Sequence, residues 1–87
     1  MKSRKIVFNH KFREDLRWWY KNDRSKADKI LNLIESATED PFTGLGKPEP
    51  LKHFKETVWS RRITQEHRLV YRVTDGLLEF LQCRYHY

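Results

Sequence analysis

The stretch VWSRRITQEHRLVYRV, residues 58–73, decides the fold. From Val58 its apolar and polar residues alternate with a period of two. Successive side chains of a β-strand point to opposite faces, so this pattern predicts half-buried strands. Trp59, Ile63, Leu69, Tyr71 and Val73 share one side, and Ser60, Arg62, Thr64, Arg68, Arg72 and Thr74 share the other. Setting Ile63 opposite Leu69 predicts a hairpin with Thr64 opposite Arg68 and the loop Gln65-Glu66-His67. Arg62 and Arg68 then lie on one face. Arg61 has the opposite parity and is expected to snorkel at the core edge.

Downstream, Asp75-Gly76 is a strong turn signal, and Leu77 to Tyr85 reads as a final strand. Its register has two solutions. A two-residue turn puts Leu78 and Phe80 on the core side together with Arg84 and His86. A three-residue turn puts Leu77, Leu81 and Cys83 there and leaves His86 beside Arg68. The second is preferred, because burying Arg84 or a histidine next to the terminus without partners is costly.

Upstream, residues 4–8 form a short β-branched run that stops at Asn9, a good helix N-cap. Phe12, Leu16, Trp19 and Tyr20 then make one helical stripe, which ends at Asn22-Asp23. Ser25 and Asp28 imitate a capping box before a second stripe of Ala27, Ile30, Leu31, Ile34 and Ala37, which stops before Pro41. Residues 41–50 hold all three prolines and two of the three glycines, so they read as a rigid surface loop. The expected fold is α+β: a single domain over residues 1–87, with two N-terminal helices packed on one face of a twisted, mainly antiparallel sheet.

Composition narrows the function. The 87 residues include 18 Lys+Arg against 12 Asp+Glu, a formal charge of +6, which favours polyanionic partners. Cys83 is the single cysteine, so no disulfide framework or cysteine-rich zinc site is expected, and a reducing cytoplasm fits best. The apolar run Ile6-Val7-Phe8 is far too short for a signal peptide or a membrane span.

The sheet face away from the helices should collect Arg62, Arg68, Arg72 and His86 beneath a loop bearing Lys47, Glu49, Lys52 and His53, a cationic surface with a single acid near it. Cutting RNA through its own 2′-hydroxyl needs a base for that proton, cations for the charge building on phosphate, and an acid for the departing 5′-oxygen. Glutamate, arginine and histidine supply all three. The plainer readings are a solvated sheet face, a glutamate that pairs with Lys47 or Lys52, and a non-catalytic RNA-binding module. His67 reads as a surface turn residue, Tyr71 and Tyr85 as core, Cys83 as packing, and Trp18 as part of a subunit or partner surface.

The segments Gly-Lys-Pro-Glu-Pro-Leu-Lys-His (46–53), Trp-Ser-Arg-Arg-Ile-Thr (59–64), Glu-His-Arg-Leu-Val-Tyr (66–71) and Cys-Arg-Tyr-His-Tyr (83–87) resemble the YoeB/Txe toxins of bacterial toxin–antitoxin systems, in the RelE/ParE superfamily. The resemblance covers nearly the whole chain. It implies a RelE/ParE-like fold and a ribosome-dependent endonuclease that cuts mRNA in the decoding A site. It also implies inhibition by an acidic antitoxin of the YefM/Phd type, operator DNA met only through the antitoxin complex, and a homodimer that nothing in the residue pattern itself requires. Carried over position by position, Glu49 resembles the general base, His86 the general acid and Arg68 the residue that stabilises the pentavalent phosphate. Lys52, Arg62 and Tyr87 resemble supporting contacts to phosphate or substrate. No cofactor is implied, and no carboxylate cluster argues for a metal. Thr57 stands where relatives often have a glycine, just before the residue that precedes the Trp-Ser-Arg-Arg segment. A ParE-like inhibitor of gyrase is the rival reading within the superfamily.

Overall fold

The computed structural model describes residues 3–52 and 57–85; the predicted site residues His86 and Tyr87, and His53, lie outside them. Strand β1 (Lys5–Phe8) ends at Asn9, whose side chain accepts the Phe12 N–H at 2.9 Å and starts helix α1 (His10–Asn22). This is the cap expected from the sequence. Asp23 then serves two helices. Its backbone N–H closes α1 onto the Trp19 carbonyl, and its side chain accepts the Lys26 N–H to open α2 (Arg24–Glu39). The anticipated capping box is therefore displaced. Ser25 lies inside α2, and its hydroxyl donates to Asp23 at 2.7 Å, holding the Asp23 carboxyl below the usual carboxylate range.

The stripes are rotated slightly from expectation. Phe12, Trp19, Ala27, Ile30, Leu33, Ile34 and Ala37 are buried, while Tyr20 and Leu31 are each 38% exposed. Leu33 takes the place foreseen for Leu31 because it lies next to Ile30 and Ala37 on the 3.6-residue spiral. Asp15 is buried too, where its carboxylate meets Lys11 Nζ at 2.7 Å and accepts the Cys83 N–H at 3.1 Å.

The helices cover one face of a five-stranded sheet ordered β1-β5-β4-β3-β2, in which β2 is Glu49–Pro50, β3 Val58–Arg62, β4 Arg68–Val73 and β5 Leu77–Gln82. Among the described residues only the β1–β5 pair is parallel. The strands contribute Ile63, Leu69, Tyr71, Val73, Leu78, Phe80 and Cys83 to the core, from the strands themselves and the residues just beyond their ends. Part of the predicted loop at 41–50 thus becomes an edge strand, with Glu49 opposite Ser60.

Two registers differ from expectation. Arg62 pairs with Arg68 and Arg61 with Leu69, a slip of two residues from the predicted Ile63–Leu69 pairing. The faces survive, because side-chain direction repeats every two residues. The loop is longer than predicted because it makes its own hydrogen bonds: Thr64 Oγ1 accepts from Glu66 N and His67 N, and the His67 carbonyl accepts from Ile63 N and Thr64 N.

In β5 each proposed register holds for half the strand. Val73 faces Leu78 and Tyr71 faces Phe80, but Val70 faces Gln82, so Leu81 is an extra residue in a β-bulge. Leu78 and Phe80 are buried, as a two-residue turn requires, whereas Leu77 and Leu81, expected in the core, are only partly buried. Beyond the bulge the parity inverts and Cys83 returns to the core. Tyr85 was also expected inside and is 56% exposed, at a φ of 61° that turns the chain out of the strand path.

Arg61 does not snorkel. It is fully buried, and its guanidinium donates to Tyr71 Oη (2.9 Å), Ser36 Oγ (2.8 Å) and the carbonyls of Leu45 (2.9 Å), Asp40 (2.7 Å) and Thr43 (2.7 Å). All five guanidinium N–H groups are used. The chain from Asp40 to Leu45 winds around this cation, and Tyr71 in turn donates to the Pro41 carbonyl at 2.6 Å. Gly46 completes the wrap with a φ of 83°; a Cβ there would come within 2.7 Å of Leu33 Cδ2 and 3.1 Å of Arg61 Cβ.

Candidate active site

The buried Arg61 fork shapes the loop that delivers Glu49 to the sheet edge. The Arg62 N–H donates to the Gly46 carbonyl at 2.7 Å, and Leu51 N donates to Val58 O at 2.8 Å, so Glu49 is tethered on both sides. It lies across β3 from Arg68, and Glu49 Oε1 meets Arg68 Nη1 at 2.6 Å. The glutamate is 53% exposed and the arginine 18%. This contact engages one donor of a five-donor fork and one oxygen of a carboxylate, which leaves both groups capacity for a further ligand. Lys47 and Lys52, the partners weighed from sequence, are not the ones Glu49 takes.

Arg62 is exposed directly across from Arg68 in the ladder, and Lys52 is exposed in the turn after β2. The sequence places Arg72 on the same face, and the structure agrees but removes it from the cationic set. Glu79 accepts from Arg72 Nη2 at 2.6 Å and from Nε at 3.1 Å. The expected single acid is thus joined by a second. The two-residue register already sets Glu79 opposite Arg72, so choosing that turn would have revealed it.

A groove of about 750 Å3 runs between α2 and the loop, lined among others by Lys29, Lys47, Arg62 and Thr64. Neither Glu49 nor Arg68 lines it. Among the described residues, no three His, Cys, Asp or Glu side chains gather where they could hold a metal ion.

The chain reaches this surface at its C-terminal end. The Tyr85 carbonyl, one residue before His86, accepts the Arg68 N–H at 3.0 Å, and the Tyr85 N–H donates to His67 Nδ1 at 2.7 Å. His67, taken from sequence as a surface turn residue, is half-buried edge-on against Trp19. Trp18 is likewise covered from within: the Arg84 guanidinium lies 3.7 Å from its ring centre. Cys83 packs, as expected, and burial, reinforced by nearby Asp15, pushes its thiol far above the usual range.

Comparison with known proteins settles the lineage. Residues 8–87 match the family described as YoeB-like toxin of bacterial type II toxin-antitoxin system. The chain belongs to this family. The YoeB toxin of Escherichia coli K12 is 48% identical over 83 residues, spanning 95% of this chain and 99% of that protein. A YoeB dimer from Staphylococcus aureus superposes with a TM-score of 0.84 at 39% identity, covering 98% of this chain and 99% of the other. YoeB in a YoeB–YefM complex from the same species gives 0.79 at 38% identity, with 97% and 98% covered. This YoeB-family chain is therefore a toxin of a type II toxin–antitoxin system, on the fold that the resemblance implied. No helix among its described residues is long and apolar enough to cross a membrane.

Proposed function

We propose that this YoeB-family toxin is a ribosome-dependent endonuclease that cuts mRNA in the A site and so stops translation. The observation that carries the reading is the Glu49–Arg68 contact at 2.6 Å on an accessible sheet face, beside Arg62 and next to the anchored Tyr85. A base and a phosphate-binding cation must sit within one nucleotide of each other, and these two do.

In the proposed reaction Glu49 takes the proton of the ribose 2′-hydroxyl, and the 2′-oxygen attacks the adjacent phosphorus. Arg68 turns its guanidinium from the carboxylate to the phosphoryl oxygens as their charge grows. The bond from phosphorus to the 5′-oxygen breaks, and His86 gives that oxygen a proton. The products are a 2′,3′-cyclic phosphate, which can open to a 3′-phosphate, and a 5′-hydroxyl. Lys52, Arg62 and Tyr87 hold the flanking phosphates or bases.

An ordinary carboxylate is a weak base at neutral pH, so proton abstraction alone gives modest acceleration. Alignment of the 2′-oxygen with phosphorus, imposed by the ribosome, supplies much of the rest. Naked RNA should be cut feebly, and chelation that leaves ribosomes intact in magnesium should not stop cleavage.

The deciding experiment maps the 5′ ends of messages on translating ribosomes for wild type and Glu49→Gln. Codon-positioned cuts by wild type and their loss in the variant support the reading. Equal cutting removes Glu49 from the mechanism, and altered DNA supercoiling with intact mRNA would favour a gyrase inhibitor. Inhibition follows from the same surface: an acidic YefM-type segment folding onto it gains area and charge complementarity against its ordering entropy.

A further inference from the structure

The segment from Cys83 to Tyr85 lies beyond the last sheet pairing, yet its backbone is tied at point after point by residues from elsewhere. Cys83 N donates to Asp15 Oδ2 (3.1 Å), the Cys83 carbonyl accepts from Trp19 Nε1 (2.8 Å), Tyr85 N donates to His67 Nδ1 (2.7 Å) and the Tyr85 carbonyl accepts from Arg68 N (3.0 Å). Terminal segments usually fray unless tied down in this way. Tyr85 also holds a φ of 61°, a conformation disfavoured for a residue with a bulky side chain, so local preference does not keep it there.

We infer that His67 is a positioning residue that fixes the backbone of Tyr85, the residue before His86, through the acceptor lone pair on Nδ1. This deepens the proposed nuclease reading and rests on it for the role of His86. Accepting at Nδ1 requires the neutral ring with its proton on Nε2. The ring itself is fixed from two sides, by the Trp19 indole at 4.9 Å edge-on and by the Tyr85 phenol at 5.1 Å. His67 is next to Arg68 in the chain, so one short segment, His67-Arg68, supplies the phosphate-binding guanidinium and both bonds to Tyr85. Anchoring of Tyr85 is thereby coupled to placement of the cation.

The test compares His67→Asn, whose Oδ1 falls where Nδ1 sits, with His67→Leu, which has the same branching and no acceptor. Both lose the ring packing, so their difference isolates the hydrogen bond. In single-turnover cleavage on saturating ribosomes the Leu variant should be slower by about 100-fold, the scale of a misplaced reacting group, and the Asn variant should stay within about threefold of wild type. Equal rates for Asn and Leu variants would overturn the inference. A second readout needs neither activity nor a variant: in wild type, the Tyr85 amide nitrogen should show a scalar coupling to His67 Nδ1 across the hydrogen bond, and its absence would also overturn the inference. If wild type shows the coupling but does not cut mRNA, the nuclease reading fails while the anchoring of Tyr85 stands.

Discussion

Replacing Arg61 by methionine should remove a large share of this toxin's stability, although Arg61 itself takes no part in the proposed chemistry. Methionine keeps most of the stem and deletes five N–H donors. Hydrogen bonds to a charged group are worth about 1.5–3 kcal/mol each, so the gross loss for the five observed partners is roughly 8–15 kcal/mol. Two effects shrink that figure. Asp40, Thr43 and Leu45 are exposed residues whose carbonyls can take water, and the buried cation's desolvation cost disappears with it. Breaking a buried charged network by removing one member leaves a net cost of about 3–5 kcal/mol. A domain of this length has about 4–13 kcal/mol in total. The melting temperature should fall by roughly 15–30 °C at the usual sensitivity for small domains. Urea unfolding followed by tryptophan fluorescence measures the loss, and Arg61→Lys should recover little of it, since one ammonium cannot reach five acceptors. A Met variant within about 1.5 kcal/mol of wild type, or a Lys variant equal to wild type, would refute the view that this fork holds the loop.

Glu49→Ala should behave in the opposite way: its partly exposed ion pair contributes about 1 kcal/mol or less to stability, whereas cleavage on ribosomes should fall about 100-fold or more. A folded-state loss above about 2 kcal/mol would mean that the pair is structural. Burial of Tyr71, opposed in part by Arg61, raises its phenol above the ordinary value of about 10. The unfolded chain therefore loses that proton first, so stability is complete below about pH 10 and declines as pH rises further. The urea midpoint should drop between pH 9 and pH 11 by more than it does in Tyr71→Phe, and parallel drops would exclude the phenol as the cause. Cys83, with its thiol protonated and buried, should resist alkylation in the native protein and react in urea. Rapid native labelling at pH 8 would contradict the packing described.

The two helices, the strands other than Glu49–Pro50, the Asn9 cap, the shared face of Arg62 and Arg68 and the kinship itself were legible in the chain alone, because periodicity and short motifs are local properties. The register of β3 on β4 was not, since a slip by two residues conserves every face and only the hydrogen-bonding appetite of Thr64 and His67 chose between the alternatives. The bulge at Leu81 could not be read either; it inverts parity midway and reconciles two registers that the sequence presents as exclusive.

Sequence determined the chemical inventory: a carboxylate, several guanidinium groups and an imidazole on a small basic domain. Tertiary structure decided which charges are spent within the molecule. Arg61 and Arg72 look equivalent to Arg62 and Arg68 in a list of residues, yet one is consumed by loop carbonyls and the other by Glu79. That sorting depends on desolvation and on partners distant in the chain, which no local pattern encodes. The same holds for His67, an ordinary turn histidine until the fold brings the Tyr85 amide to its ring.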